Sequence, residues 1–561
     1  MVRVREIAPE EIFLDSSNLP AHEYERPEGN VERPVSQSAL WGLGLFLFVI
    51  VALFLYRSVS LQIVQGASFA QISEENTLDR TLVFATRGVI YDRHGTEIAW
   101  NELPTAAGGA TSSDFALRAY TSLPGLAHVL GWLRYPKRDT SGVWWRDSYT
   151  PMAGIELAYD VALSGTNGTS MVESDARGRV QRQNIVSPAH NGSDLHLAID
   201  AELQSKLYQI LSSHAIAQHF IGGAAVIMDV QTGEILALTS FPEYDHVAFT
   251  DGDAAAVGKA YSDDRAPVLD RAVSGLFAPG SIVKPIFAAA ALNEKLISPD
   301  KTIISTGAIS IPNPYDPSKP TLFRDWTVHG AVDMRTAIAV SSDEYFYTIG
   351  GGYRDQAGLG IQKLDDYARM FGLGSTTGIE LAGEEAGIIP TPAWKAEVFG
   401  ADDPWRIGNT YHTAIGQYGF QITPIQAVRF TAAIANGGML LTPHLLASST
   451  PEAVAIPITD ADLQIVREGM RMAVTSTRSD ATVKVLNMPG IRIAAKTGTA
   501  QLGNRNQWMN SWNVGYWPAE HPRYAYAVVL EHAPAGTASG AAPGLVPFFQ
   551  WLIANRPQYL E

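Results

Sequence analysis

The chain lacks cysteine altogether, although it is 561 residues long. This absence excludes disulfide bonds, thiolate metal sites and a cysteine nucleophile. Charged residues are also scarce, at 17 %, and they leave a formal net charge of −16. A nucleic-acid-binding protein needs a basic surface that displaces counterions from phosphates. The acidic balance therefore argues against nucleic acid as a partner.

Apolar residues are plentiful, at 46 % of the chain, and supply enough material for a large core. The length exceeds one ordinary domain, so we expect two or three folded units. From residue 194 onward the pattern predicts a strand in DLHLAID, a helix from Ala201, and two strands around a Thr232-Gly233 turn. Two further strands precede a closing helix at 541–555. Helices flanking a largely antiparallel sheet define an α+β fold class.

An uncharged apolar segment lies near the N-terminus. Residues 39–56 read ALWGLGLFLFVIVALFLY, eighteen positions without a charge. As a helix this segment would span roughly 27 Å, close to the hydrocarbon thickness of a bilayer. A buried core helix would carry polar positions, and a cleaved signal peptide would start nearer the terminus. The sequence therefore predicts an uncleaved membrane anchor, preceded by a mobile polar tail and followed by a helical continuation over 57–79.

The candidate nucleophile lies in FAPGSIVKPIFAAAAL, residues 277–292. A Pro279-Gly280 turn precedes an apolar helix, and Ser281 and Lys284 lie one turn apart on one face of it. A serine hydroxyl needs a base that removes its proton, and a lysine serves as that base only when its pKa is lowered. The S-x-x-K pattern alone is weak, since Ser298 and Lys301 repeat it in what we interpret as a cap and loop.

Two further motifs follow in order. Ser341-Ser342-Asp343 forms an S-x-D pattern, which by itself is equally well explained as a helix cap. Lys496-Thr497-Gly498-Thr499 follows an apolar strand, and its ammonium and hydroxyl groups suit a carboxylate. We expect its glycine to let a substrate backbone approach closely. The ordered trio is far more specific than any member.

The trio resembles that of penicillin-binding proteins and class A β-lactamases, with Asp343 where Asn is common. Other segments resemble class B penicillin-binding proteins, and the S-x-D followed by YFY is most similar to their elongation-type members. These segments are RGVIYDRHGTEIAWN at 87–101, MAGIELAYD at 152–160, FGLGSTTGIEL at 371–381 and IGQYGFQITPIQAVRFTAAIANGG at 415–438.

The resemblance implies a role for each motif residue. Ser281 would attack the D-Ala-D-Ala carbonyl of a stem peptide, with Lys284 as its base. Ser341 would pass a proton toward the leaving D-Ala, and Asp343 would hold this network. Lys496 would keep Lys284 neutral. Lys496 and the Thr497-Gly498-Thr499 strand would bind the substrate, with Lys496, Thr497 and Thr499 contacting its terminal carboxylate. The backbone N–H groups of Ser281 and Thr499 would form the oxyanion hole.

The resemblance also implies an architecture and partners. We expect a cytoplasmic tail at 1–38, a transmembrane helix at 39–58, a pedestal (dimerisation-like) domain at 59–194 and a transpeptidase domain at 195–561. The catalytic domain would face outward from the inner membrane. The expected partners are stem peptides as D-Ala-D-Ala donor and amine acceptor, β-lactams as inhibitors, a membrane glycosyltransferase of the SEDS type, and other elongation-complex proteins.

Two departures from the family pattern bear on these expectations. Residues 102–153 have weak periodicity, so we predict irregular structure there. The stretch 101–154 is short for the head of a pedestal, which implies reduced or different control by partners. Asp325 and His329 resemble part of a metal cluster found in some elongation-type relatives, but the cysteine expected with them is missing. We therefore predict no metal and no cofactor.

Other functions are compatible with the same motifs. They include a division-type member of the family, a D-Ala-D-Ala carboxypeptidase, a β-lactamase, a β-lactam sensor and a non-catalytic scaffold. A β-lactamase would lack the anchor and pedestal, and a sensor of this kind usually carries several spans and an H-E-x-x-H protease motif, which is absent here. Intact motifs argue against a scaffold.

Overall fold

A computed structural model describes residues 36–68, 77–103, 114–174, 180–313, 316, 318–447 and 449–561. The predicted tail at 1–38 lies almost wholly outside the described residues. The chain divides into two compact units, residues 1–79 with 172–183, and residues 80–171 with 184–561.

The first unit contains the apolar N-terminal helix. The α-helix Gln37–Val59 begins at Ser36, whose side chain accepts a hydrogen bond from the Ala39 N–H, and it continues as a π-helical turn, Ser60–Val64. No residue of Gln37–Val59 is buried, and among the described residues Gln37–Val64 is the one helix long and apolar enough to cross a membrane. The predicted continuation over 57–79 is wrong from Thr77, where a strand begins.

The region before residue 200 is built from short strands. They are β1 Thr77–Val83, β2 Ile90–Tyr91, β3 Glu97–Glu102, β4 Leu117–Tyr120, β5 Leu133–Arg134, β6 Lys137–Arg138, β7 Trp144–Arg146, β8 Thr150–Pro151, β9 Gly168–Ser174, β10 Val180–Ser187 and β11 Leu195–His196. Three short helices accompany them, at Ala127–Leu130, Gly154–Ala158 and Asp160–Leu163. Sheets form in the orders β1-β9-β10 and β11-β2-β3-β4, with hairpin-like pairs β5-β8 and β6-β7.

A buried ion-pair cluster joins two of the segments that carry the family resemblance. Arg87 donates from Nε to Glu156 at 2.5 Å, and Arg118 donates to the other oxygen of that carboxylate at 2.7 Å. All three side chains are fully buried. A buried charge is tolerated only when it is paired and hydrogen-bonded, and this cluster satisfies that condition. It fixes the β2–β4 sheet against the helix Gly154–Ala158.

The larger part of the second unit is a mixed layer structure. Its strands are β12 Gly222–Asp229, β13 Ile235–Phe241, β14 Ile303–Ser305, β15 Ala308–Ile311, β16 Thr321–Arg324, β17 Gly330–Val332, β18 Met439–Leu441, β19 Ala453–Ala455, β20 Ala494–Leu502, β21 Trp508–Trp517 and β22 Tyr524–Pro534. Its α-helices are Ala201–Ala217, His246–Asp251, Ala254–Ser262, Lys284–Asn293, Met334–Val340, Asp343–Gly351, Gly360–Met370, Pro392–Phe399, Ile407–Ala414, Pro424–Ala435, Asp460–Thr475, Ala541–Gly544 and Val546–Asn555.

The central sheet has the order β13-β12-β22-β21-β20, and every neighbouring pair is antiparallel. β20, which carries the K-T-G motif, is an edge strand of this sheet. Every residue of β12 and β13 is buried, because helices cover both faces. The predicted α+β class is confirmed, together with the Thr232-Gly233 turn between β12 and β13.

Two predictions of local structure need correction. Residues 102–153 are not irregular throughout, since they contain β4 to β8 and the buried helix Ala127–Leu130. These elements are too short to show periodicity, and pairing with neighbouring strands stabilises them. The strand predicted in DLHLAID is also shorter than expected, since it comprises Leu195–His196, followed by an isolated bridge from Leu197 to Leu446.

Candidate active site

The candidate nucleophile lies on a tight turn that leads into a buried helix. Gly280 has φ +55°, and its N–H donates to the Gly416 carbonyl oxygen at 2.9 Å. A 3₁₀ turn, Gly280–Val283, then continues into the helix Lys284–Asn293. The helix is buried along almost its whole length, so Ser281, which is half-buried, is held on a rigid element. The helix predicted after the Pro279-Gly280 turn is therefore present.

Two glycines allow this turn to pack directly against β20. A Cβ added at Gly498 would lie 2.7 Å from the Pro279 carbonyl oxygen and 2.9 Å from Ile282 Cγ2. A Cβ at Gly280 would lie 2.8 Å from the Thr499 carbonyl oxygen. These distances are shorter than van der Waals contact, so only glycine fits. The K-T-G glycine thus accommodates the nucleophile turn, and the close approach of a substrate backbone to it stays a prediction.

The second motif lies between two helices. Ser341 ends the helix Met334–Val340 in the left-handed conformation, with φ +59°. Ser342 is the N-cap of the next helix, Asp343–Gly351, and its side chain accepts from the Tyr345 N–H. The cap interpretation is therefore correct for Ser342, while Ser341 and Asp343 on either side of it remain available to the site. A non-glycine residue in this conformation costs on the order of 1 kcal/mol and is common at functional sites.

The three motifs meet at the side chains of two lysines. Lys284 Nζ donates to Asp343 Oδ1 at 2.6 Å and lies 3.3 Å from Ser341 Oγ. Lys496 Nζ lies 2.7 Å from the same Ser341 Oγ, and it donates to the Thr497 carbonyl oxygen at 2.8 Å. Both lysine side chains are buried. The Ser341 hydroxyl is thus the link between the two amines.

Electrostatics distinguish the members of this cluster. Burial lowers the pKa of Lys496 well below its ordinary value, and the charge of Lys284 lowers it further. Burial raises the pKa of Asp343, an effect that the Lys284 ammonium opposes and the Asp325 carboxylate reinforces. Lys284, which the sequence analysis expected to be the base, forms an ion pair with Asp343. Within the described part of the chain, Ser281 Oγ has no hydrogen-bond partner.

A large cavity opens in front of these residues. It has a volume of about 1000 Å³. Its lining comprises Ser281, Leu322, Phe323, Arg324, Asp325, Trp326, Ser341, Asp343, Tyr347, His412, Ile415, Gln417, Tyr418, Thr482, Thr497, Thr499, Gln501 and Asn506. All three motifs contribute to this lining, and the cavity is within the size range of ligand-binding sites.

An ion-pair network that the sequence analysis did not assemble supports the second motif. Asp325 Oδ2 accepts from Ser342 Oγ at 2.8 Å and from the Glu344 N–H at 2.9 Å. His329 Nδ1 lies 2.8 Å from Asp480 Oδ2, and its Nε2 lies 3.4 Å from Asp325 Oδ1. Burial lowers the pKa of His329, but the two carboxylates outweigh it and raise the pKa overall. No sequence signal pairs His329 with a residue 151 positions away.

The described residues contain no group of three or more His, Cys, Asp or Glu side chains suited to hold a metal ion. Asp325 and His329, the two residues that resemble a metal cluster, instead take part in the ion-pair network with Asp480. An imidazolium between two carboxylates neutralises them as a cation would.

Comparisons with known proteins agree with the geometry. The family model for the penicillin-binding protein transpeptidase domain matches residues 223–546, and that for the penicillin-binding protein dimerisation domain matches residues 107–197. The chain belongs to the penicillin-binding protein transpeptidase family. The predicted resemblance to class B members, and to penicillin-binding protein 2 among them, is confirmed.

Among curated proteins, peptidoglycan D,D-transpeptidase MrdA of Haemophilus influenzae is 33 % identical over 74 % of this chain and 66 % of its own length. Peptidoglycan D,D-transpeptidase MrdA of Escherichia coli K12 is 31 % identical over 69 % of this chain and 62 % of its own length. The chain thus spans slightly less than two thirds of these relatives.

Solved structures of similar fold include penicillin-binding protein 2 of Pseudomonas aeruginosa in complex with WCK 5153. It has a TM-score of 0.69 and 28 % identity, and the match covers 86 % of this chain and 98 % of that one. The complex of penicillin-binding protein 2 with MreC from Helicobacter pylori has a TM-score of 0.69 and 26 % identity, with 85 % and 99 % coverage.

Proposed function

We propose that this protein is a serine-type peptidoglycan D,D-transpeptidase that cross-links stem peptides through an acyl-enzyme during lateral cell-wall elongation. The observation that carries the proposal is the position of the Ser341 hydroxyl between the Lys284 and Lys496 amines, in the cavity that Ser281 lines. A hydroxyl between two amines, one of which has a lowered pKa, can relay a proton between them. Acyl transfer at a serine requires such a relay.

In the proposed acylation, Ser281 Oγ attacks the carbonyl of the donor D-Ala-D-Ala bond while Lys284 takes its proton. Lys284 must first give up a proton, and Asp343 can accept it across their hydrogen bond because burial raises the pKa of this carboxyl group. Lys496, when it carries a charge to bind the donor carboxylate, would keep Lys284 neutral by repulsion between like charges. Ser341 then delivers a proton to the nitrogen of the leaving D-Ala. An acceptor amine finally attacks the ester and regenerates Ser281.

The remaining substrate contacts follow the motifs. Thr497 and Thr499 line the cavity beside Ser281, and with Lys496 they would bind the terminal carboxylate of the donor. The backbone N–H groups of Ser281 and Thr499 would form the oxyanion hole. Gly498 lets Thr497 and Thr499 lie close to the nucleophile turn, and the substrate backbone would approach β20 closely at this glycine. β-Lactams would acylate Ser281 as substrate analogues.

The proposed setting is the inner membrane. The helix within Gln37–Val64 supports single-pass anchoring, with the tail at 1–38 in the cytoplasm and the pedestal at 59–194 and catalytic domain at 195–561 outside. We infer a membrane glycosyltransferase of the SEDS type as the polymerising partner. The Helicobacter pylori relative, whose complex with MreC has been solved, supports a comparable partner in the elongation machinery.

Reconstitution tests the proposal. The detergent-solubilised chain is supplied with a pentapeptide donor ending in D-Ala-D-Ala and a separate stem-peptide acceptor, and the products are analysed by mass spectrometry. The expected product is a cross-linked dimer with loss of one D-Ala, which a Ser281→Ala variant does not form. Donor shortened by one D-Ala without any dimer would favour the carboxypeptidase alternative. An unaltered donor with a folded chain would contradict catalysis and favour a scaffold.

A further inference from the structure

The proposed roles leave one wall of the cavity without a function. It comprises Leu322, Arg324 and Trp326, which alternate along β16 and the residues that follow it. Leu322 and Arg324, two apart on β16, point to the same face of the strand, and Trp326 lines the cavity with them. All three are exposed, with 47 % exposure for Leu322 and 55 % for Trp326. The wall therefore offers an aliphatic, a cationic and an aromatic group together.

Packing and hydrogen bonds hold the backbone of this wall in place. Phe323, between Leu322 and Arg324, is buried and packs edge-on against the Tyr411 ring at a centroid distance of 4.9 Å. The Arg324 carbonyl oxygen accepts a hydrogen bond from Tyr347 Oη at 3.2 Å. The Trp326 indole donates to the Val340 carbonyl oxygen at 3.1 Å, directly before Ser341. A side chain held as that of Trp326 is loses little freedom when a ligand binds.

Arg324 has no acidic partner within the described residues, although two carboxylates line the same cavity. Asp343 is paired with Lys284, and Asp325 accepts from Ser342 Oγ and the Glu344 N–H. Both acids are committed to positioning the second motif, which leaves the Arg324 guanidinium as the uncommitted charge of the cavity. A guanidinium binds a carboxylate through two parallel hydrogen bonds.

We infer that Arg324 binds a carboxylate of the amine acceptor, so that the acceptor of choice carries its nucleophilic amine and a carboxylate on the same carbon. This inference rests on the proposed transpeptidase function and names the acceptor class that the function leaves open. The donor's own carboxylate is assigned to Lys496, Thr497 and Thr499, which leaves Arg324 for the carboxylate of the acceptor. Leu322 and Trp326 provide apolar contact for the remainder of the acceptor.

The step that the acceptor completes is balanced. The amine nitrogen, in its neutral form, attacks the ester carbonyl of the acyl-enzyme, and a C–N bond forms. The bond from the carbonyl carbon to Ser281 Oγ breaks, and this oxygen takes the proton that the amine loses. With its carboxylate on Arg324, the acceptor would present its amine from the side of the cavity that faces Ser341.

The test is a choice between two acceptors by the full-length protein in detergent. D-Methionine and D-methioninamide differ only in that the second has an amide in place of the carboxylate. Each is added to a D-Ala-D-Ala donor peptide at a pH where its own amine is half deprotonated. Mass spectrometry measures the aminolysis product relative to the hydrolysis product, a ratio set after acylation. For the wild type we expect the carboxylate acceptor to be favoured roughly tenfold or more, as is usual for a hydrogen bond to a charged group.

In Arg324→Gln this preference should fall to about parity, and in Arg324→Lys, which keeps the charge and loses the fork, it should be intermediate. Arg354→Gln is the matched control, because Arg354 is exposed but lies outside the cavity lining, and it should keep the wild-type preference. Equal use of both acceptors by the wild type, or an unchanged preference in Arg324→Gln, would overturn the inference. A wild type that forms no acyl-enzyme would instead contradict the proposed function.

Discussion

Substituting alanine at Gly498 would test how the third motif is fitted to the nucleophile. The new methyl group would lie 2.7 Å from the Pro279 carbonyl oxygen, where ordinary contact begins at 3.4 Å. Backbone atoms form much of this contact, so β20 and the 3₁₀ turn that carries Ser281 must separate by several tenths of an ångström. Overpacking of this kind costs about 1–3 kcal/mol of unfolding free energy.

The effect on acylation should exceed what the loss of stability explains. Misplacing a reacting group by about 1 Å costs on the order of 100-fold in rate, so a smaller shift should slow acylation by roughly 10- to 100-fold. We would measure the second-order rate constant for labelling by a fluorescent penicillin, together with urea unfolding. Gly258→Ala is the matched control, because its Cβ would meet no atom within 4 Å.

For Gly258→Ala we expect unchanged labelling and a small gain in stability, since alanine is the better helix former. Two results for Gly498→Ala would refute the reasoning. One is a labelling rate equal to that of the wild type in a folded variant. The other is a rate that falls only in proportion to the unfolded fraction.

Three further predictions follow from buried charges and a helix cap. Lys284→Met should reduce acylation by at least 100-fold, as removal of a general base usually does, and should destabilise the fold because Asp343 loses its partner. Adding Asp343→Asn should restore stability without restoring acylation. A double variant no more stable than Lys284→Met would contradict the ion pair. Ser342→Ala should cost about 1 kcal/mol in urea unfolding, as lost N-caps do, and a shift near zero would argue against the cap. Burial lowers the pKa of His128 from 6.5 to about 3, so below pH 6.5 only the unfolded chain takes up a proton and the folded state becomes less stable. Between pH 7.5 and 5.0 the unfolding free energy of the wild type should fall by about 2 kcal/mol more than that of His128→Gln. Equal losses would contradict a buried neutral imidazole.

Local sequence patterns predicted those parts of the fold whose structure depends on neighbouring residues. The turn at Thr232-Gly233 requires a positive φ at its glycine, and the helix after Ser281 follows an uninterrupted apolar run. The strands β4 to β8 escaped prediction because two to four residues are too few to establish a period. They pair within the region itself, β5 with β8 and β6 with β7, while β4 pairs with β3.

The motif residues of the candidate site could be named from the sequence, but the separate role of each residue could not. From the sequence alone, either lysine could be the amine with the lowered pKa. The structure distinguishes them, because Lys284 has a carboxylate partner and Lys496 is buried beside another cation. The role of Gly498 depends on the approach of a turn more than 200 residues away in the chain. Arg324 carries no motif, and its relevance emerges only from the cavity that it lines.

The central claim is that Ser281 is the nucleophile that the Lys284–Ser341–Lys496 cluster serves. Its most direct test is mass spectrometry of the intact protein after exposure to a penicillin, followed by peptide mapping of the adduct. The account predicts one stable adduct per chain, located on the peptide that contains Ser281 and absent from a folded Ser281→Ala variant. An adduct on another residue, an equal adduct in the variant, or no adduct on the folded wild type would contradict it.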